Sequence, residues 1–118
     1  MRIDASSDDP IDLNWLKDLA GDDPAALRDI ALLFVQTTDE LMIGLDAAVE
    51  RHDGVEIARL AHSAAGAAGT CGMRALHAAF RALEDSAVAG RLTDAVERCS
   101  DARDEFGRVR DFLAAHLM

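Results

Sequence analysis

The fold is decided by residues 22–49, which read DDPAALRDIALLFVQTTDELMIGLDAAV. Asp23 can cap a helix that starts at Pro24, because a proline at the first helical position loses no backbone hydrogen bond. Apolar residues then recur at steps of three and four through about seven turns. They are Leu27, Ile30, Ala31, Phe34, Leu41, Leu45, Ala48 and Val49, with Thr38 on the same stripe. This pattern predicts a long amphipathic helix with one face turned to a core.

The rest of the chain repeats this pattern in segments separated by glycines. A short helix is predicted from Ile11 to Ala20, before Gly21, and a turn is predicted at Asp53-Gly54. Three more amphipathic helices follow that turn, with Gly90 between the last two. Their apolar positions are Ile57, Leu60, Ala61, Ala64, Ala68 and Cys71, then Leu76, Ala79, Phe80, Leu83 and Ala87, then Leu92, Ala95, Val96, Cys99, Ala102, Phe106, Val109, Leu113 and Leu117.

Four long helices joined by short connections favour antiparallel neighbours. We therefore predict an all-α fold, an antiparallel up-down-up-down four-helix bundle with a short additional N-terminal helix. The composition agrees, because Ala and Leu dominate the apolar half of the chain and β-branched residues are few. Residues 1–10 are polar and acidic and are assigned to a flexible N-terminus. Residues 11–118 are assigned to a single bundle domain.

The charge of the chain excludes several classes of function. Its 118 residues include 22 acidic and 12 basic ones, for a formal net charge of −10. A nucleic-acid binder needs a basic surface for the phosphate backbone, so this class is excluded. No apolar run could span a bilayer, and the start of the chain lacks the apolar region of a secretory signal. Cys71 and Cys99 make no disulfide framework, so we expect a reducing, cytoplasmic setting. We also expect a monomer that contacts no membrane.

His62 differs from the other three histidines because it lies roughly opposite the core stripe of its helix. It shares its face with Arg59, Ala65, Gly66 and Gly69. A glycine inside a helix costs about 1 kcal/mol relative to alanine, so two of them beside an exposed imidazole need a reason. Either something approaches the ring closely, or the glycines only allow tight helix packing or mark a fraying end.

Residues 60–76 read LAHSAAGAAGTCGMRAL, and Ala82-Leu83-Glu84 follow on the next helix. This stretch resembles the signature of the histidine-containing phosphotransfer (HPt) domain family, roughly A-H-x-L-K-G-S-S-x-x-x-G-x-x-x-L and then L-E. The matching positions are Ala61, His62, Gly66, Gly72, Leu76, Leu83 and Glu84. The chain departs from the signature at Ala65, where the family usually has Lys, and at Ala67 and Ala68, where it has small hydroxyl residues.

The resemblance implies a phosphorelay intermediate that carries a phosphoryl group on His62 between the aspartates of receiver domains. Glu84 is expected to orient His62 by accepting a hydrogen bond from Nδ1, which leaves Nε2 free to attack. The other candidate positions for contact with the phosphate or the partner are Arg59, Ala65, Gly66, Gly69 and Arg81. The two arginines are the cations that could partly replace the missing Lys.

The resemblance also implies the partners. These are a response-regulator receiver domain, a hybrid sensor histidine kinase, or both. We expect no cofactor and no metal on this chain, with Mg²⁺ on the partner receiver domain. The resemblance implies a phosphocarrier and not an enzyme, and the chain has no phosphate-binding loop for ATP.

Two alternative functions stay open. The first is a binding module of the HPt fold that sequesters a receiver or a kinase without carrying phosphate, and the missing Lys motivates it. The second is a domain phosphorylated directly by the ATP-binding catalytic domain of a kinase on another chain.

Overall fold

A computed structural model of the chain describes residues 9–117, and all the regular structure within them is helical. The helices are α1 (Leu13–Leu19), α2 (Pro24–Glu50), α3 (Gly54–Thr70), α4 (Arg74–Val88) and α5 (Leu92–Leu117). The all-α prediction is therefore confirmed. None of the helices in this part of the chain is long and apolar enough to cross a membrane. Residues 1–8 of the predicted flexible N-terminus lie outside the described residues.

Aspartates begin three of the helices. The side chains of Asp12, Asp23 and Asp53 each accept a hydrogen bond from a backbone N–H in the first turn of α1, α2 and α3. Such caps satisfy donors that the helix itself leaves free. Pro24 occupies the first turn of α2, as predicted. The bend before α3 lies earlier than predicted, because His52 has a φ of 55° and Asp53 already caps the helix.

Helices α2 to α5 form a closed ring. In this ring α2 packs against α3 and α5, and α4 packs against the same two helices. The ion pairs between α2 and α5 join the later residue of α2 to the earlier residue of α5. Asp46 pairs with Arg103 and Asp39 with Arg110, as expected for two antiparallel helices. Three residues connect each of these helices to the next. The up-down-up-down order stays a prediction, which these contacts and short connections support.

The core consists mainly of small and aliphatic side chains. Phe34 and Phe106 meet edge to face across α2 and α5, with ring centroids 6.4 Å apart. Met42 is buried although the predicted stripe omits it, whereas Leu19 and Val96 are each 47% exposed. Seven alanines are fully buried, namely Ala31, Ala48, Ala61, Ala64, Ala68, Ala95 and Ala102. Short side chains at these positions let neighbouring helices approach closely.

Helix α1 lies across the connection between α3 and α4. The backbone N–H of Asp12 donates to the carbonyl of Gly72 at 3.0 Å, and the indole N–H of Trp15 donates to the carbonyl of Thr70 at 2.9 Å. A Cβ atom on Gly72 would lie 2.7 Å from Cδ1 of Trp15, and Gly72 has a φ of 74°. The connection therefore requires glycine for two reasons, its backbone conformation and the close contact with Trp15.

Candidate functional site

His62 lies in the middle of α3, outside the buried face of that helix. Its side chain is 75% exposed. The buried face consists of Ile57, Ala61, Ala64, Ala65 and Ala68. An imidazole in this position can be reached by a partner protein without any movement of the bundle.

Glu84 on α4 reaches across to His62. Its Oε2 atom lies 2.9 Å from Nδ1 of His62, and its side chain is only 19% exposed. A carboxylate only accepts hydrogen bonds, so Nδ1 of His62 is the donor, and in the neutral ring the lone pair is then on Nε2. The structure thus brings His62 and Glu84 together, and it leaves most of the imidazole exposed.

Arg81 shares Glu84 with His62. Its Nε atom lies 3.7 Å from Oε1 of Glu84, one turn away on the same helix, and its side chain is 58% exposed. Arg59, the other predicted cation, forms an ion pair with Glu56 on its own helix. The site therefore places Arg81 beside the His62–Glu84 pair, while Arg59 is engaged by a different carboxylate.

Gly66 borders open space. No atom would lie within 4 Å of a Cβ added there, apart from its own helix backbone and chain neighbours. It opens into a groove of about 270 Å³ between α2 and α3, whose other walls include Leu33, Thr37 and Thr70. Leu33 is 64% exposed. Periodicity missed Leu33 because it lies off the core stripe. The adjacent pair Leu32-Leu33, two large apolar residues off that stripe, is the sequence signal that could have found it.

Gly69 has a different environment from Gly66. A Cβ on Gly69 would lie 3.1 Å from Nδ1 of His77 on α4. The same Nδ1 lies 2.7 Å from the carbonyl oxygen of Ala65 and donates a hydrogen bond to it. The two glycines therefore have different explanations. Gly66 leaves space for a group that approaches from outside, and Gly69 allows tight packing of α4 against α3.

The prediction that Ala65 shares the exposed face of His62 is wrong. Ala65 is 2% exposed and lies on the buried face of α3. The reason is that α4 packs against α3 and covers a position that periodicity places on the outer face of the helix. Its carbonyl, and not its methyl group, makes the contact described above.

The two cysteines are buried, one at the end of α3 and one in α5. Burial raises the pKa of both the Cys71 and the Cys99 thiol. Such thiols stay protonated near neutral pH and are poor nucleophiles. Within residues 9–117, no group of three or more His, Cys, Asp or Glu side chains is arranged to hold a metal ion.

Comparison with known proteins gives a consistent result. The sequence profile described as the Hpt domain matches residues 29–115, a range that contains both His62 and Glu84. The chain is also similar to a solved structure, the crystal structure of histidine-containing phosphotransfer protein B (HptB) from Pseudomonas aeruginosa PAO1. The TM-score is 0.85 and the sequence identity 25%, over 93% of this chain and 95% of that chain. None of the curated proteins matches the chain significantly.

Proposed function

Because the chain belongs to the Hpt domain family, we propose that it is a phosphorelay intermediate that carries a phosphoryl group on His62 between the aspartates of receiver domains. The family and the similar crystal structure support a histidine phosphotransfer role in two-component signalling. One observation carries the finer proposal. It is the hydrogen bond between Nδ1 of His62 and Glu84, which leaves Nε2 exposed as the free nucleophile.

The transfer step follows from this tautomer. The lone pair of Nε2 attacks the phosphorus of an aspartyl phosphate on the partner. The new N–P bond forms as the bond from phosphorus to the aspartate oxygen breaks, and the aspartate leaves as a carboxylate. Because Nδ1 keeps its proton, the ring becomes cationic, and Glu84 stabilises that charge at 2.9 Å. The reverse step delivers the phosphoryl group to the next carboxylate.

The charge of the phosphoryl group needs a cation nearby. Phosphoryl transfer depends mainly on positioning and on stabilisation of charge on the oxygens. Arg81 is exposed and lies beside Glu84, so its remaining N–H groups are available to the phosphoryl oxygens. In this proposal Arg81 replaces the Lys that the family usually has at position 65, and the partner receiver domain contributes Mg²⁺.

The partner docks on the exposed face around His62. Gly66 leaves room for the phosphoryl group and for a loop of the receiver domain. Leu33 and the groove beside it offer apolar contact to the same partner. A response regulator or a hybrid kinase in the cytoplasm supplies that receiver domain, and the chain acts as a phosphocarrier without an ATP site of its own.

Transfer of label from a receiver domain tests the proposal. A receiver domain is phosphorylated with radiolabelled acetyl phosphate, purified and mixed with the protein. We expect an acid-labile phosphohistidine on the wild type and on His116→Gln, and none on His62→Gln. If the wild type gains no label while the receiver domain keeps it, for every receiver domain encoded in the same genome, the carrier proposal fails.

The second candidate function is sequestration of a receiver domain without phosphotransfer. Ala65 favours it, because the family usually has a Lys at this position and the chain has a buried methyl group there. In that case His62→Gln binds a receiver domain as tightly as the wild type, and no phosphohistidine forms. Direct phosphorylation by a kinase is distinguished from transfer out of a receiver domain by two separate assays, one with a kinase and one with a receiver domain as the phosphoryl donor.

A further inference from the structure

Two side-chain hydrogen bonds join α3 to α4 in the described part of the chain, and they mirror each other. In the first, Nδ1 of His62 on α3 donates to Glu84 on α4 at 2.9 Å. In the second, Nδ1 of His77 on α4 donates to the backbone carbonyl of Ala65 on α3 at 2.7 Å. The first bond belongs to the candidate site, whereas the function proposed above does not use the second.

The two contacts lie at matched positions along the helices. The ring of His77 packs against Gly69, whose Cβ would lie 3.1 Å from Nδ1 of that ring. Gly69 is seven residues after His62, and Glu84 is seven residues after His77. Seven residues make about two helical turns, or about 10 Å along the axis. The contacts therefore lie on one seam, on corresponding faces of the two helices.

The α3 side of this interface offers little relief to fix the position of one helix along the other. The buried residues of α3 are mainly alanines, including Ala61 and Ala65, whereas the larger buried side chains, such as Phe80, belong to α4. Small side chains form shallow ridges, and shallow ridges allow one helix to slide or rotate against another. A polar contact within an apolar helix interface is an effective way to specify register. One contact permits rotation about itself, whereas the His62–Glu84 bond and the packing of His77 on Gly69, about 10 Å apart along the helices, prevent it.

We propose that His77 is a positioning residue that holds α4 in the register which places Glu84 against His62, and that Gly69 lacks a side chain because the His77 ring occupies that space. This inference rests on the proposed function only in so far as phosphotransfer needs the Nδ1–H form of His62. The register of the helices and the tautomer of His62 are properties of the unphosphorylated protein and can be measured without any partner.

The test is a measurement of the His62 tautomer by ¹⁵N NMR, from the chemical shifts of the two ring nitrogens. In the His77→Ala variant we expect the share of the Nδ1–H form to fall by about twofold or more. The amide of His77→Asn places an N–H near the position of Nδ1, so we expect this variant to recover most of the wild-type signal. His116→Ala is the matched control, because Nδ1 of His116 also bonds a carbonyl, at 2.8 Å, but within α5.

Two glycine variants give an independent readout. Gly69→Ala should disturb the His62 tautomer as His77→Ala does, because the new methyl group meets the His77 ring. Gly66→Ala should leave the tautomer unchanged, because its methyl group enters open space. If His77→Ala fails to fold, this pair decides the same question.

An unchanged His62 tautomer in both His77→Ala and Gly69→Ala overturns the positioning role, whatever the transfer assay shows. The positioning role is also overturned if His77→Asn has no larger share of the Nδ1–H tautomer than His77→Ala. The two proposals can also fail separately. If the wild type takes no label but has the Nδ1–H tautomer of His62, and the His77→Ala variant lacks that tautomer, the carrier proposal is wrong and the positioning role of His77 is supported.

Discussion

Glu84 holds His62 through a hydrogen bond of 2.9 Å that crosses from α4 to α3, between residues 22 positions apart in the chain. The carboxylate is largely covered while the imidazole is largely exposed. In the proposed function this difference separates two tasks, since the covered carboxylate keeps a fixed position and the exposed imidazole meets the partner.

Removal of the Glu84 carboxylate is expected to slow phosphotransfer. In Glu84→Ala, His62 loses the acceptor that fixes its tautomer, and we expect the initial rate of labelling to fall about tenfold or more. Glu84→Gln keeps an acceptor oxygen and should lose less. The adjacent exposed acid gives a control, since Asp85→Ala should label at the wild-type rate. Equal rates for Glu84→Ala and Asp85→Ala would contradict the role of Glu84.

The two arginines near His62 are expected to differ. Arg81→Ala should reduce the labelling rate more than Arg59→Ala, because Arg81 contacts Glu84 and Arg59 pairs with Glu56. Arg81→Lys keeps the charge but loses the planar fork, so an intermediate rate is expected. Time courses with one phosphorylated receiver domain measure all three variants. A larger loss of labelling rate in Arg59→Ala than in Arg81→Ala would show that the cation of the site is Arg59 on α3 and not Arg81 on α4.

Replacement of Gly66 is expected to separate stability from function. Gly66→Ala adds a methyl group in open space and should stabilise the helix by about 1 kcal/mol. The same methyl group narrows the approach to His62, so we expect slower transfer from the receiver domain. Urea unfolding measures the first effect and label transfer the second. A variant that is both more stable and fully active would show that Gly66 leaves no room that the partner uses.

Thr38 is expected to destabilise the bundle through its hydroxyl group. The residue is fully buried in α2, and its Oγ1 has no hydrogen-bond partner among the described residues. An unsatisfied buried hydroxyl costs free energy, so Thr38→Val should raise the free energy of unfolding by about 1 kcal/mol. Thr70→Val is the comparison, because the exposed hydroxyl of Thr70 donates to the Gly66 carbonyl at 3.0 Å. A gain of stability in Thr70→Val equal to that in Thr38→Val would refute this account.

The buried thiols are expected to make the fold sensitive to alkaline pH. Burial raises the pKa of Cys71 and Cys99 in the native protein, so the unfolded chain ionises its thiols at lower pH. Below the pKa of the thiols in the unfolded chain, their ionisation does not change the free energy of unfolding. That free energy falls as the pH rises from there towards the pKa of the thiols in the native protein. Urea midpoints measured between about pH 7 and pH 10 should fall more steeply for the wild type than for a Cys71→Ala/Cys99→Ala variant. Parallel profiles would contradict the prediction.

Much of the fold follows from the sequence because helices are local structures. The steps of three and four between apolar residues give the five helices, and caps such as Asp23 with Pro24 give their starts. Errors occur where burial depends on a neighbouring helix. Ala65 is covered by the close approach of α4, and Val96 remains exposed although it continues the stripe of α5. Periodicity predicts which way a residue faces on its own helix, but not how far the next helix reaches.

The sequence by itself determined the family, the helical class and the identity of His62 as the residue to examine, because these depend on residue order and spacing. The tertiary structure alone decided which groups His62 meets. The bond from His62 to Glu84 and the packing of Gly69 against His77 depend on how α4 lies against α3, and Gly66 stays open because nothing covers it there. Contacts across this interface, such as that of His77 with Ala65, join residues distant in the chain, and helical spacing carries no information about them.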